Sequence, residues 1–180
     1  VTTAAVDLRL DEAVELGHAW LQSLAESRGI RVLFIKGPAL HHYGLRHERV
    51  SSDVDALVEP RRFAEFCEAI ERAGWREREG IFISDRTTLH SRAYIRDGWP
   101  CDLDIHGFYP GFLADPVDAF DALWRRRARL SYAGRLCEVP DRVGAMLILA
   151  LHSLRGTSAQ SRHLDELERL VRIELTARER

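Results

Sequence analysis

Apolar residues recur at near-helical spacing at Leu10, Ala13, Val14, Leu21 and Leu24, which predicts a helix over 7–27 ended by Ser27-Arg28-Gly29. Val32-Leu33-Phe34-Ile35 is a short apolar run rich in branched and aromatic residues, the pattern of a buried strand. Gly37-Pro38 breaks it, and Ala39 to Leu45 reads as a short helix followed by a polar loop through Ser52. Asp53 to Val58 reads as a second strand. Pro60 suits the first turn of a helix, and Phe63, Phe66, Cys67 and Ile70 then stand at i, i+3, i+4, i+7 before Gly74. Trp75 to Arg96 reads as a hairpin, with Ile81-Phe82-Ile83, a turn near Asp85-Arg86, and a return strand from Leu89 to Ile95.

Past the Asp97-Gly98 turn, Cys101 to His106 alternates strictly: Cys101, Leu103 and Ile105 against Asp102, Asp104 and His106. Asp115-Pro116 opens a helix to about Trp124, and Arg127 to Val139 reads as extended. Asp141 can cap a helix carrying Val143, Met146, Leu147, Ala150, Leu151 and Leu154. A last helix carries Leu164, Leu167, Val171 and Leu175. Strands come first and helices last, so the expected class is α+β: a mixed β-sheet flanked by helices over residues 1–140, then a C-terminal helical part over 141–180.

Composition narrows the partners. Of the 180 residues, 46% are hydrophobic and 30% charged, which is the balance of a globular chain and excludes disorder, collagen and coiled coil. The richest apolar segment, Val143 to Leu154, ends at Arg155 and falls short of the ~18 residues of a membrane span, so no membrane partner is expected. The net charge of −2 and a pI of about 6.5 argue against a duplex nucleic-acid footprint, which usually carries a strong basic excess. Cys67, Cys101 and Cys137 are odd in number and widely spaced, which reads as free thiols in a reducing cytoplasm. Lys36 is the single lysine in a chain that otherwise uses arginine.

Three stretches carry candidate chemistry. Residues i and i+2 of a strand share a face, so Asp53 and Asp55 project together while Val54 and Ala56 turn to the core. Two adjacent carboxylates repel unless water or a cation compensates, and a hard divalent ion does so through oxygen ligands. Taken alone, an Asp-x-Asp is more often a strand end with two solvated aspartates. Asp102, Asp104 and His106 place two acids and an imidazole on one strand face, which suggests a third metal ligand; an ordinary amphipathic edge strand is the alternative. Ile35-Lys36-Gly37-Pro38 delivers a lysine and a glycine into a turn, where Gly37 lets phosphate oxygens approach backbone N–H groups and Lys36 supplies a point charge. A plain turn with a solvated lysine is the competing reading. Lys36-Gly37 fits neither GxxxxGK[ST] nor GxGxxG. His90, Arg92, Tyr94 and Arg96 read as one strand face, solvated or touching an acceptor.

The order of these elements resembles the nucleotidyltransferase superfamily related to DNA polymerase β, and within it a branch of largely uncharacterised bacterial nucleotidyltransferases. The stretches that carry the resemblance are Lys36-Gly37-Pro38-Ala39-Leu40, Tyr43, Arg49 with Asp53-Val54-Asp55, Asp104-Ile105-His106, Leu149 to His152, and Asp165, over roughly residues 30–170. Two positions depart from the pattern. The wider superfamily has Gly-Ser where this chain has Gly37-Pro38, leaving Ser51 or Ser52 as substitutes for the missing hydroxyl. The branch often has an aromatic after Asp-x-His, where this chain has Gly107 and then Phe108.

The resemblance implies a nucleotidyltransferase-like mixed sheet and an enzyme that moves a nucleoside monophosphate from an NTP, ATP for instance, to a hydroxyl or amine of a small-molecule or peptide/protein acceptor. It implies Mg2+, with Mn2+ as the alternative ion, held by Asp53, Asp55 and Asp104 as metal ligands and catalytic acids. Lys36, Gly37, Arg49, Ser52 and His152 would meet the nucleotide. His106 and Asp102 would stand behind the ligands or on the acceptor side. The alternatives are a phosphotransferase using the same acids, or a catalytically silent nucleotide- or peptide-binding module.

Overall fold

A computed structural model describes residues 8–47, 49–78, 90–155, 161–177 and 179. The chain begins with helix α1 (Leu10–Arg28), which ends where Gly29 takes a left-handed conformation at φ 62°. Strand β1 (Val32–Phe34), short helix α2 (Gly37–His42) and strand β2 (Asp53–Val58) follow. A 3-10 turn over Pro60–Arg62 leads into α3 (Phe63–Arg72). Then come β3 (Arg76–Glu77), β4 (Ser91–Ile95), β5 (Asp102–His106), α4 (Pro116–Arg125), β6 (Ala128–Tyr132), β7 (Arg135–Val139), α5 (Arg142–Arg155) and α6 (Ser161–Val171).

The expected α+β architecture is present. Among the described residues five strands form one sheet in the order β1-β2-β5-β4-β3, and β6 and β7 form a separate hairpin. The sheet is mixed: β2 runs parallel to β5, while β1, β4 and β3 join antiparallel. The caps read from sequence hold, since Asp115 accepts from Val117 N–H and Asp141 accepts from Gly144 N–H, each at 2.8 Å. Three boundaries move. The first helix begins at Leu10 rather than residue 7, because Arg9 is extended and caps it. The short helix starts at Gly37 and closes at His42 instead of running from Ala39 to Leu45, because Pro38 suits a first turn and Gly44 turns the chain at φ 66°. The last helix stops at Val171, leaving Leu175 beyond it. Ile81-Phe82-Ile83 and the turn near Asp85 lie outside the described residues.

Alternation along β2 divides its side chains between two cores. Val54, Ala56 and Val58 join Ala13, Val14 and Leu21 of α1, with Leu103 and Ile105 of β5. Here α1 approaches closely, for a Cβ at Gly17 would stand 3.0 Å from Val54 Cγ2. Tyr94 is buried in this core and donates its hydroxyl to Glu71 at 3.1 Å, so the face expected to be solvated or to touch an acceptor is instead packed at this point. On the opposite sheet face Leu57 meets Leu33, Ile35, Tyr109, Phe120 and Ile148. A third cluster joins Leu40 and Leu45 to Ala145, Leu149 and Leu170, so α5 and α6 sit against the segment between β1 and β2. The three cysteines are buried and unbridged. Among the described residues no helix is long and apolar enough to cross a membrane.

Candidate active site

The parallel register of β2 and β5 brings the acids together. Asp53 pairs with Asp102, Asp55 with Asp104, and Leu57 with His106, so both strands present their polar residues on one face. His106 is buried and its Nε2 lies 3.1 Å from Asp55 Oδ1 and 3.1 Å from Asp104 Oδ2. Its Nε2–H therefore donates between the two carboxylates, while Nδ1 is buried with no partner among the described residues. Ligand atoms of Asp55, Asp104 and His106 all lie within 4.8 Å of one another.

Lys36 enters this cluster from the end of β1. Its ammonium forms an ion pair with Asp55 Oδ1, and only 12% of its side chain is exposed. The backbone there is unusual: Lys36 has φ 61° and ψ −148°, a region favoured by glycine, and such a placement costs about 1–3 kcal/mol. Gly37 follows at φ 48°. A Cβ at Gly37 would only touch Ser51 Oγ, at 3.6 Å, so the glycine is required by its backbone angle and not by lack of space.

Burial and charge set the protonation. Burial pushes the Asp53 carboxyl up, the charge of Asp55 pushes it further, and Lys36 and a hydrogen bond from Ser51 only partly oppose them. Burial also acts to raise Asp104, but the His106 hydrogen bond and charge outweigh it and hold this carboxyl below its ordinary value. For His106, burial disfavours the charged ring, yet hydrogen bonds to Asp104 and Asp55 raise its pKa. Burial likewise disfavours the charged Lys36, and Asp55 more than restores it.

The sequence-derived candidates are thus distributed as follows. Asp55 and Asp104 converge. Asp53 shares their face one position outward, and its Oδ1 accepts from Ser51 Oγ at 3.2 Å. His106 stands between the acids and is itself within ligand reach, closer in than the supporting position expected of it. Asp102 lies at the outer end of the face, its Oδ2 bonded to Arg78 at 2.5 Å. Ser52 is exposed, whereas Ser51 makes the contacts with Asp53 and the Gly37 turn. Arg49 lines a crevice with Gly37, Arg46 and Ser51. His152 is half-buried on α5, its ring edge-on to His163 at 5.4 Å. Burial first, then the charges of Lys36 and Arg46, push its pKa down to about 4, so it is neutral at physiological pH.

Tyr109 and Arg155 belong to no motif of the sequence, yet they stand at the site: the Arg155 guanidinium carbon lies 4.9 Å from the Tyr109 ring centre, and that ring is 5.7 Å from His106. Gly107 has a packing role that the sequence does not mark. A Cβ there would meet three Phe63 ring carbons at 3.0–3.2 Å, so the glycine makes room for Phe63 directly after His106.

The carboxylates of Asp55 and Asp104, with Asp53 beside them, are hard oxygen donors and suit Mg2+ or Mn2+; His106 Nε2 carries the proton it donates to two of them and would be a ligand only on losing it. Asp53, Asp55 and Asp104 gather like charges on one face, balanced in part by Lys36 and by the proton on His106, and a divalent cation would relieve the repulsion that remains.

The profile of a protein family described as uncharacterised nucleotidyltransferases matches residues 18–174. The chain belongs to that family. The chain shares its fold with a nucleotidyltransferase-like antigenic protein from Paracoccidioides brasiliensis, at 12% identity and a TM-score of 0.57, covering 89% of this chain and 76% of that one. It is also similar to the lincosamide antibiotic adenylyltransferase LnuA in its lincomycin-bound form, at 13% identity and TM-score 0.52, covering 89% and 96% of the two chains. The antibiotic-resistance factor ANT(2'')-Ia is similar at 16% identity and TM-score 0.54, covering 87% and 86%. No curated protein sequence gives a significant match to this chain.

Proposed function

We propose that the protein is a metal-dependent enzyme that moves a nucleoside monophosphate from an NTP, with ATP the first candidate, to a hydroxyl or amine of a small-molecule acceptor. The observation that carries this reading is the side-by-side placement of Asp55 and Asp104 on parallel strands, bridged by His106, in a chain of nucleotidyltransferase family. The small-molecule acceptor is supported by two structural neighbours, one solved with lincomycin and one with adenylyl-2''-tobramycin. Three buried thiols accord with a reducing cytoplasm.

In this reading Asp55 and Asp104 hold the ion, with Asp53 completing its surroundings. A divalent ion, when bound, supplies Lewis-acid stabilisation of the attacking and leaving oxygens. The chain does the rest. The Gly37 turn, Lys36 and Arg49 bind the triphosphate, and Ser51 takes the place of the absent turn serine. Asp104, kept ionised by His106, orients the acceptor O–H or N–H towards the α-phosphorus. The new bond forms from the acceptor oxygen or nitrogen to that phosphorus, the bond to the bridging oxygen breaks, pyrophosphate leaves, and the acceptor proton passes to solvent.

The test uses ATP labelled at the α or the γ phosphorus, Mg2+, and a panel of hydroxyl- and amine-bearing acceptors. Transfer of the α label with release of pyrophosphate is expected. Transfer of the γ label would establish a phosphotransferase instead. ATP binding with transfer of neither label to any acceptor, and no pyrophosphate release, would favour a silent binding module.

A further inference from the structure

We propose that Glu166 of α6 is a positioning residue for the nucleotide: through Arg46 it fixes the segment that carries Arg49 and Ser51 against the Gly37 turn. This rests on the nucleotide-binding reading above and extends it to a helix on which that reading placed no residue.

Arg46 Nη2 lies 2.7 Å from Glu166 Oε1, with only 12% and 9% of the two side chains exposed. The other carboxylate oxygen, Oε2, accepts from Ser153 Oγ of α5 at 2.8 Å. One carboxylate thus ties α6 to α5 and both to the segment between α2 and β2. That segment leads straight into the site. Ser51 donates to Asp53 Oδ1 at 3.2 Å and sits against Gly37, and a small crevice is lined by Gly37, His41, Arg46, His47, Arg49 and Ser51.

Stability alone is a poor reason for such a pair. Removing two charges from water is costly, and well-packed apolar side chains of similar volume often serve as well or better. Arg46 Nε adds to the cost, being buried with no partner among the described residues. What an apolar pair would not do is fix the direction of one side chain against another, because packing contacts have no preferred angle and a charge-assisted hydrogen bond does. Leu45 in the third cluster and the contact of His47 with Arg169 of α6 also hold this segment, but the first is apolar and the second exposed, and Val50 is 57% exposed.

The experiment compares wild type, Glu166→Gln, the double variant Arg46→Met/Glu166→Met, and Ser153→Ala, which removes a Glu166 partner that is not on the segment. Each is measured by calorimetric titration with ATP–Mg2+, by thermal melting, and by amide hydrogen exchange across residues 45–52. The double variant, which also costs Ser153 its acceptor, is expected to melt below wild type by no more than Ser153→Ala does, to bind ATP–Mg2+ about tenfold more weakly, and to exchange faster across the segment. Glu166→Gln is expected to weaken binding in the same sense. Ser153→Ala is expected to lower the melting temperature while affinity and segment exchange stay unchanged. Wild-type affinity and exchange in the double variant would overturn the proposal, and this arm stands even if Glu166→Gln does not fold. Failure of the wild type to bind any NTP would instead overturn the nucleotide reading itself, and the exchange rates alone would then decide whether Glu166 holds the segment.

Discussion

The ammonium of Lys36 rests on Asp55 Oδ1, the same oxygen that receives Nε2–H from His106. The only lysine of the chain therefore neutralises the most deeply buried of its strand-borne acids, and does so from a backbone conformation that favours glycine. An ion pair bought at that backbone cost ties the turn at Gly37 to the acidic face.

Lys36 is expected to serve both Asp55 and the triphosphate. Lys36→Ala should lower the melting temperature, because Asp55 loses a charged partner, and should weaken ATP–Mg2+ binding about tenfold. Lys36→Arg should weaken it less, since the planar guanidinium keeps the charge but not the compact shape. Melts and calorimetry of both variants check this. A lower melting temperature with wild-type ATP affinity in Lys36→Ala would confine Lys36 to the ion pair.

Asp55→Asn should reduce transfer on the order of 100-fold or more, as expected for loss of a charged metal ligand. It should also destabilise the protein. The substitution leaves the Lys36 ammonium buried without its counter-ion, and breaking a buried pair in this way costs about 3–5 kcal/mol. Steady-state rates at saturating Mg2+ and urea unfolding measure the two effects. A wild-type rate would remove Asp55 from the catalytic set.

Gly107→Ala should destabilise by about 1–3 kcal/mol through overpacking, because the new methyl meets the Phe63 ring at three carbons. The displacement starts next to His106, so activity should fall as well. Phe63→Leu, which relieves the crowding, should restore part of both in the double variant. Additive losses in the double variant would show that the contact is not the cause.

Stability should fall on mild acidification through His18. Burial, only partly opposed by the hydrogen bond to Val14 C=O and the charge of Asp55, pushes this imidazole from the ordinary 6.5 down to about 4. The unfolded chain takes up its proton first as pH falls, so the contribution is whole above pH 6.5 and is lost progressively towards pH 4. At pH 5 the loss is about 2 kcal/mol relative to neutral pH. His152, also at about 4, acts in the same direction, while His106, whose pKa is raised, acts in the opposite one. Urea unfolding at pH 7.5 and 5 for wild type and His18→Gln isolates the His18 share, and the variant should show a pH difference smaller by about 2 kcal/mol. An unchanged difference would refute it.

Strand periodicity is a local property, and it was enough to place Asp53 with Asp55, and Asp104 with His106, each pair on one face of its own strand. The helix caps at Asp115 and Asp141 were legible for the same reason: a cap needs only its own first turn. The order of motifs along the chain was enough to expect the family. What the tertiary structure alone decided is which faces meet. Parallel pairing in one register sets Asp55 beside Asp104, and a one-residue slip would have turned one strand's acids to the opposite face. The structure also chose Asp55 as the partner of Lys36, Ser51 over Ser52 at the turn, and His106 as the bridge between two carboxylates. None of these follows from spacing, because each depends on how far a side chain reaches across to another element. Glu166 is the clearest case. In the sequence it is one charge among many on an amphipathic helix; its role exists only because α6 folds back against the segment that carries Arg46.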